Sequence, residues 1–231
     1  MIAKKQILVH IVLNAVDRIW FAIKKDYKEL CFMKIFFDTE FTGLHKDTTL
    51  ISIGLVSQDG KQFYAEFTDY DGKQVGDWIQ ENVIRNTLLF SWWTRESTYI
   101  ENFHCGNKEE ISFMLHNWLS QFDTVELVSD CSHYDMVLFA DLFGSAYNLP
   151  SNVCPACFDI CQEIARYYNI SLKEAFDKSR EDIISDFGIV GLDFNIPLKN
   201  KHNSLYDAFV IKTIYEHILC NDIKKCGEGN G

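Results

Sequence analysis

From Met33 onward the apolar positions fall into strand-length and helix-length runs that can be placed by their spacing. Lys34 to Asp38 holds a short apolar run, and Thr49 to Ser57 is rich in β-branched and aliphatic residues. Gln58-Asp-Gly60 is a hairpin turn signal, and Lys61 to Phe67 alternates behind it. These runs predict a three-strand antiparallel meander. A helix is predicted near Lys108 to Phe122, a fourth strand at Val125 to Ser129, and a helix over His133 to Phe143. A short fifth strand at Ala156 to Phe158 leads into a helix from Asp159 to Tyr168. Ser171 to Asp186 reads as helical in pieces. Ser204 to Leu219 closes the pattern as an amphipathic helix with Ala208, Phe209, Ile211, Ile214, Tyr215 and Ile218 on its apolar face. A meander followed by alternating strands and helices predicts an α/β domain: a mixed sheet of three antiparallel and two parallel strands, flanked by helices.

Residues 1–32 stand apart, with a helical stripe of Ile7, Ile11, Val12, Ala15, Val16, Ile19 and Ile23. They read as an N-terminal extension, native or upstream of a start at Met33. The domain is expected over 33–221, with a flexible tail at 222–231. The chain has 231 residues and is 47% hydrophobic, enough for a packed core. Its 33 acidic and 22 basic side chains give a net charge of −11, which disfavours non-specific nucleic-acid binding through bulk charge. The same carboxylates suit a magnesium site. No apolar run reaches the roughly 18 residues of a spanning helix, so no membrane association is expected. Lys4 and Lys5 precede an apolar run broken by His10 and Asn14, which does not read as a secretion signal. The eight cysteines therefore read as reduced thiols of a cytoplasmic protein. Cys154, Cys157 and Cys161 hold part of a zinc-site spacing but lack a fourth ligand near them. Trp92 and Trp93 read as core.

The candidate chemistry lies in acids. Asp38 and Glu40, two apart on a strand, face the same way, and their repulsion calls for a shared cation or proton. Phe41-Thr-Gly43 follows at once with a ring, a hydroxyl and a flexible backbone. Asp135 opens a helix after the fourth strand, and Asp207 opens the last helix five residues after His202.

Phe37-Asp-Thr-Glu-Phe-Thr-Gly43, Tyr134-Asp135 and His202-Asn-Ser-Leu-Tyr-Asp207-Ala208 resemble the three motifs of the DEDDh 3′–5′ exonucleases, which have the ribonuclease H-like fold. With Leu50-Ile-Ser-Ile-Gly54 and Asp59-Gly-Lys-Gln-Phe-Tyr64, the resemblance is nearest to the small bacterial and phage exoribonucleases. It implies hydrolysis of single-stranded RNA or DNA from the 3′ end to 5′-mononucleotides. It implies Asp38, Glu40, Asp135 and Asp207 as ligands of two Mg²⁺ or Mn²⁺ ions, and His202 as general base. Phe41, Thr42 and Gly43 would meet the terminal nucleotide. A homodimer is an assembly the resemblance allows. At the second motif Asp130 stands as the alternative to Asp135. A non-catalytic binding module of the same fold is the competing function.

Overall fold

The computed structural model describes residues 32–88, 101–189 and 201–228. The expected N-terminal helix and the Trp92–Trp93 pair lie outside these residues. The strands are β1 (Met33–Phe41), β2 (Leu50–Ser57), β3 (Gln62–Phe67), β4 (Phe103–Gly106), β5 (Val125–Ser129) and β6 (Val153–Asp159). The helices are α1 (Asp77–Asn82), α2 (Lys108–Leu119), α3 (Ser132–Leu142), α4 (Ile160–Tyr168), α5 (Leu172–Asp177), α6 (Arg180–Asp186) and α7 (Ser204–Glu228). They build one mixed sheet in the order β4-β3-β2-β1-β5-β6. β1, β2 and β3 form the antiparallel meander, with Gly60 at φ 90° in the hairpin. β5 and β6 extend the sheet in parallel from β1.

The pleat divides the core between two faces. Ile35 and Phe37 pack with Leu127 under α2 and α3, and Phe37 meets Phe139 edge-on with ring centroids 5.4 Å apart. Phe36 and Val128 point the other way, into a cluster with Ile160 and Ile164 of α4, Ile183 of α6, and Ile211 and Ile214 of α7. Both faces of the central strand are buried, which is why its sequence reads as a continuous apolar run.

Four features differ from the sequence expectation. β1 continues past Asp38 to Phe41, because Asp38, Thr39 and Glu40 pair with Gly54, Ile53 and Ser52 of β2. The acids therefore sit inside a strand rather than at its end. β4 is an additional edge strand, parallel to β3; four residues entered through Asn102 at φ 64° carry too little pattern to read. β6 is longer than expected and bulged. Val125 pairs with Val153 and Leu127 with Cys157, so the intervening Cys154-Pro-Ala156 has no room in the ladder, and Pro155 has no N–H to offer it. α7 runs beyond Leu219 through most of the expected tail, since the first glycine after Ser204 is Gly227.

Candidate metal centre and active-site cleft

Strand alternation sets the site. Asp38 and Glu40 share the α7 side of β1 with Phe36, while Thr39 and Phe41 share the α3 side with Phe37. α7 adds Asp207 from its first turn. One carboxylate oxygen from each of Asp38, Glu40 and Asp207 lies within 4.8 Å of the others.

The approach of α7 depends on Gly54, which pairs with Asp38 across the ladder. A Cβ at Gly54 would lie 2.3 Å from the Leu205 nitrogen and 2.4 Å from its Cα. Ser52 and Ser204 join the two elements by a 2.9 Å hydroxyl contact. Asn203 caps α7, its Oδ1 accepting from the Leu205 and Tyr206 N–H groups at 3.2 Å, and its Nδ2 donates to the Asn86 carbonyl at 2.8 Å. His202 adopts a left-handed backbone, φ 63°, and its N–H donates to Asp207 Oδ2 at 2.9 Å. The Asn203 cap, the Ser204 contact and the His202 N–H thus fix the start of α7 and hold the Asp207 carboxylate. Gly54→Ala is expected to lower unfolding free energy by about 1–3 kcal/mol, the usual cost of overpacking, and to displace Asp207. Urea denaturation should show the loss, with a fall in turnover beyond what the folded fraction explains.

Asp135 sits beside this triad rather than within it. It is 4% exposed and accepts hydrogen bonds from Thr39 Oγ1 at 2.5 Å and from the Ser129 hydroxyl. Sequence reading missed both donors. Strand parity carried the signal for Thr39, which had to face α3 if its neighbours faced α7. Asp130, the alternative second-motif acid, is held by Arg180: Nε to Oδ2 is 2.6 Å and Nη2 to Oδ1 is 2.7 Å.

Burial and mutual repulsion govern the protonation of the cluster. Burial, then the charges of Asp135, Asp207 and Glu40, hold Asp38 well above the carboxylate range. Burial, then Asp207 and Asp135, do the same to Glu40. Burial raises Asp135 and Asp207 to about 7 each, against the lowering effect of the hydrogen bonds they accept. A carboxylate whose folded pKa is raised binds protons more tightly folded than unfolded. Its stabilising contribution is full below pH 3.8 and is lost as pH rises through about 7. The Tm of metal-free protein is therefore expected to fall between pH 5 and pH 8, and saturating Mg²⁺ should flatten that fall. A scanning-calorimetry series with and without chelator checks this.

The acids open into a cleft of about 900 Å³. Phe41 lies in its wall, stacked on Tyr134 with centroids 5.5 Å apart and planes 20° apart. Across from the strand residues, Trp78, which is 59% exposed, meets the His202 ring edge-on at 5.0 Å. Burial first, then the Lys201 charge, lower the His202 pKa, with Glu181 opposing, so the ring is neutral at pH 7. Gly43 lines the cleft, but its N–H donates to Thr48 Oγ1 at 3.0 Å. Thr42 departs from its expected role. It is 2% exposed, and its hydroxyl donates to Gln74 Oε1 at 2.5 Å and lies within 3.3 Å of the Thr48 and Thr49 hydroxyls. Its contacts fasten the loop after β1 and leave little of it open to the cleft. Trp78 and Arg180 come to the cleft from distant segments, and nothing in their local sequence marks them.

The donor set fits hard divalent cations: several carboxylates, buried among apolar strands, raise one another's pKa, and opposing positive charge relieves all of them.

A mixed sheet flanked by helices, with acids in its first strand, fits the ribonuclease H-like fold, and solved structures agree on that fold. The chain superposes with a TM-score of 0.55 on the 3′-exonuclease in a structure titled for 3′-end specific recognition of a histone mRNA stem-loop, at 12% identity, covering 89% of this chain and 72% of that one. It superposes with a TM-score of 0.54 on the nuclease domain of 3′hExo, a DEDDh family member bound to rAMP, at 15% identity, covering 82% and 92%. The sequence profile of the 3′–5′ exoribonuclease Rv2179c-like domain matches residues 33–219, and the chain belongs to that family. It is 29% identical over 125 residues to the 3′–5′ exoribonucleases Rv2179c and MT2234.1 of two Mycobacterium tuberculosis strains, covering 52% of this chain and 67% of each relative. The protein is a 3′–5′ exonuclease acting on nucleic acid. Among the described residues no helix is long and apolar enough to cross a membrane.

Proposed function

We propose that the chain hydrolyses single-stranded RNA from the 3′ end, releasing 5′-mononucleotides, with two Mg²⁺ (or Mn²⁺) ions held by Asp38, Glu40, Asp135 and Asp207. The observation that carries this is the Asp38, Glu40 and Asp207 oxygens within 4.8 Å of one another at the floor of an open cleft. Asp38, which lies within 4.8 Å of both Glu40 and Asp207 oxygen to oxygen, would be the ligand the two ions share. Asp135 can serve although both its oxygens accept hydroxyl bonds, since each carboxylate oxygen has a further lone pair. Bound there, the ions would neutralise phosphate charge and stabilise the leaving 3′-oxygen.

The chain's own groups do the rest. His202 is neutral and takes the proton of the attacking water on a ring nitrogen. The Trp78 ring packs on that imidazole and supports its position. Phe41, backed by Tyr134, offers a face for the terminal base. Gly43 lets the backbone pass close to the nucleotide's 3′ end. A cytoplasmic location belongs to this proposal, and Cys105, Cys131, Cys154, Cys157 and Cys161, none of them in a disulfide, are consistent with it. Equal-sequence single-stranded RNA and DNA, with products separated by chromatography, test the proposal. RNA should be consumed faster, with nucleoside 5′-monophosphates as sole products. A DNA preference, or 3′-monophosphate products, would contradict it.

A further inference from the structure

Beside the carboxylate triad, a second group of ligand atoms converges on the cleft wall. One oxygen of Asp130 and the sulfurs of Cys131 and Cys161 lie within 4.8 Å of one another. Cys161 Sγ is 3.2 Å and Cys131 Sγ 3.9 Å from Asp130 Oδ1. A tetrahedral zinc ion with Zn–S near 2.3 Å and Zn–O near 2.1 Å separates S from O by roughly 3.5 Å, a value these two distances bracket.

The surroundings are built rather than accidental. Cys131 holds a left-handed backbone, φ 60°, at the start of α3 and lines the cleft, while Cys161 is buried in the first turn of α4. Arg180 grips both Asp130 oxygens, places Nη2 3.0 Å from Cys161 Sγ, and anchors Nη1 on the carbonyls of Ala175 and Lys178. Two thiolates and a carboxylate carry three negative charges, which one divalent ion and one guanidinium balance. Asp130 can turn Oδ1 to the ion while Oδ2 stays with Arg180 Nε. The spacing Cys154, Cys157, Cys161 suggested a different grouping, but Cys154 lies in the β6 bulge, Cys157 pairs with Leu127 in the ladder, and Cys161 groups with Cys131 instead.

We propose that Asp130, Cys131 and Cys161 form a second cation site, distinct from the catalytic carboxylates, that takes a thiophilic divalent ion of the zinc class. Binding exchanges the two thiol protons for the metal: M²⁺ and two R–SH give M(SR)₂ and two H⁺. The fourth position faces the cleft and is left to water. Hard Mg²⁺ does not compete, because it prefers oxygen donors.

Co²⁺ alone, added to reduced full-length protein in the presence of excess Mg²⁺, is the probe. One equivalent should raise a near-ultraviolet thiolate-to-cobalt charge-transfer band that Zn²⁺ then bleaches. Cys131→Ser and Cys161→Ser should each weaken Co²⁺ binding at least 10-fold and lose most of the band. Cys154→Ser should keep it, and circular dichroism should show all three folded. Should Cys161→Ser fail to fold, the partly exposed Cys131→Ser decides alone. A band that survives Cys131→Ser, or no band in wild type, overturns the assignment. So does ready loss of two hydrogens by mass under mild peroxide with no metal uptake, which would make the thiols a redox pair.

Discussion

Replacing Asp38 by asparagine is expected to lower turnover more than 100-fold, beyond the usual cost of losing a residue that merely orients a metal ligand. Asp38 is the acid on which the charges of Asp135, Asp207 and Glu40 all act. The amide keeps the shape and removes the charge, so the fold should persist. Metal-free Asp38→Asn should melt above metal-free wild type at pH 8, because one member of a mutually repelling group is gone. The gain in Tm that wild type obtains from Mg²⁺ should largely vanish in the variant. Turnover with thermal melts in both metal states makes the check. Near-wild-type turnover, or a lower apo Tm, would mean that Asp38 is not at the centre of the cluster.

His202→Ala carries the second largest expected effect, a fall in turnover of about 10²–10⁴, the contribution of a positioned base. None of the four carboxylates is removed, and the hydrogen bond to Asp207 comes from the backbone N–H, which alanine retains. Alanine shares the cost of φ 63° with histidine but loses the ring's packing on Trp78, so a stability loss of about 1 kcal/mol is expected and is to be measured separately. Mg²⁺ affinity and the KM for oligonucleotide should stay within a few-fold while kcat falls. A variant that keeps its rate would move the proton-accepting role elsewhere, with Tyr206, partly buried next to Asp207, the nearest phenol in sequence. A variant that loses metal binding would make His202 a structural residue.

Much of this was legible in the sequence because it rests on short-range rules. The two-residue period placed Asp38 and Glu40 on one face and fixed the meander, and the last helix announced itself by its apolar stripe. Those rules fail where geometry is set by contacts between distant segments. Nothing near Gly54 says that a helix will lie against it; only the 2.3 Å clearance at Leu205 explains why the strand has no side chain there. Thr42 looked like part of a ligand-binding run, yet its hydroxyl is taken up by Thr48, Thr49 and Gln74, all of them beyond that run. Asp130 and Asp135 both follow β5, Asp130 directly and Asp135 in the first turn of α3. What separates them is Arg180, fifty residues later, which holds one and leaves the other beside Asp38.

The central claim is that the buried carboxylates form a metal-dependent hydrolytic centre that works from the 3′ end. The most direct measurement follows 5′-labelled single-stranded RNA on a sequencing gel, with Mg²⁺, with chelator, and with Mg²⁺ restored. The account predicts a ladder that shortens one nucleotide at a time from the 3′ end, halts on chelation, and resumes when Mg²⁺ returns. Release of the labelled 5′ nucleotide at the outset, or shortening that continues under chelator, would contradict it.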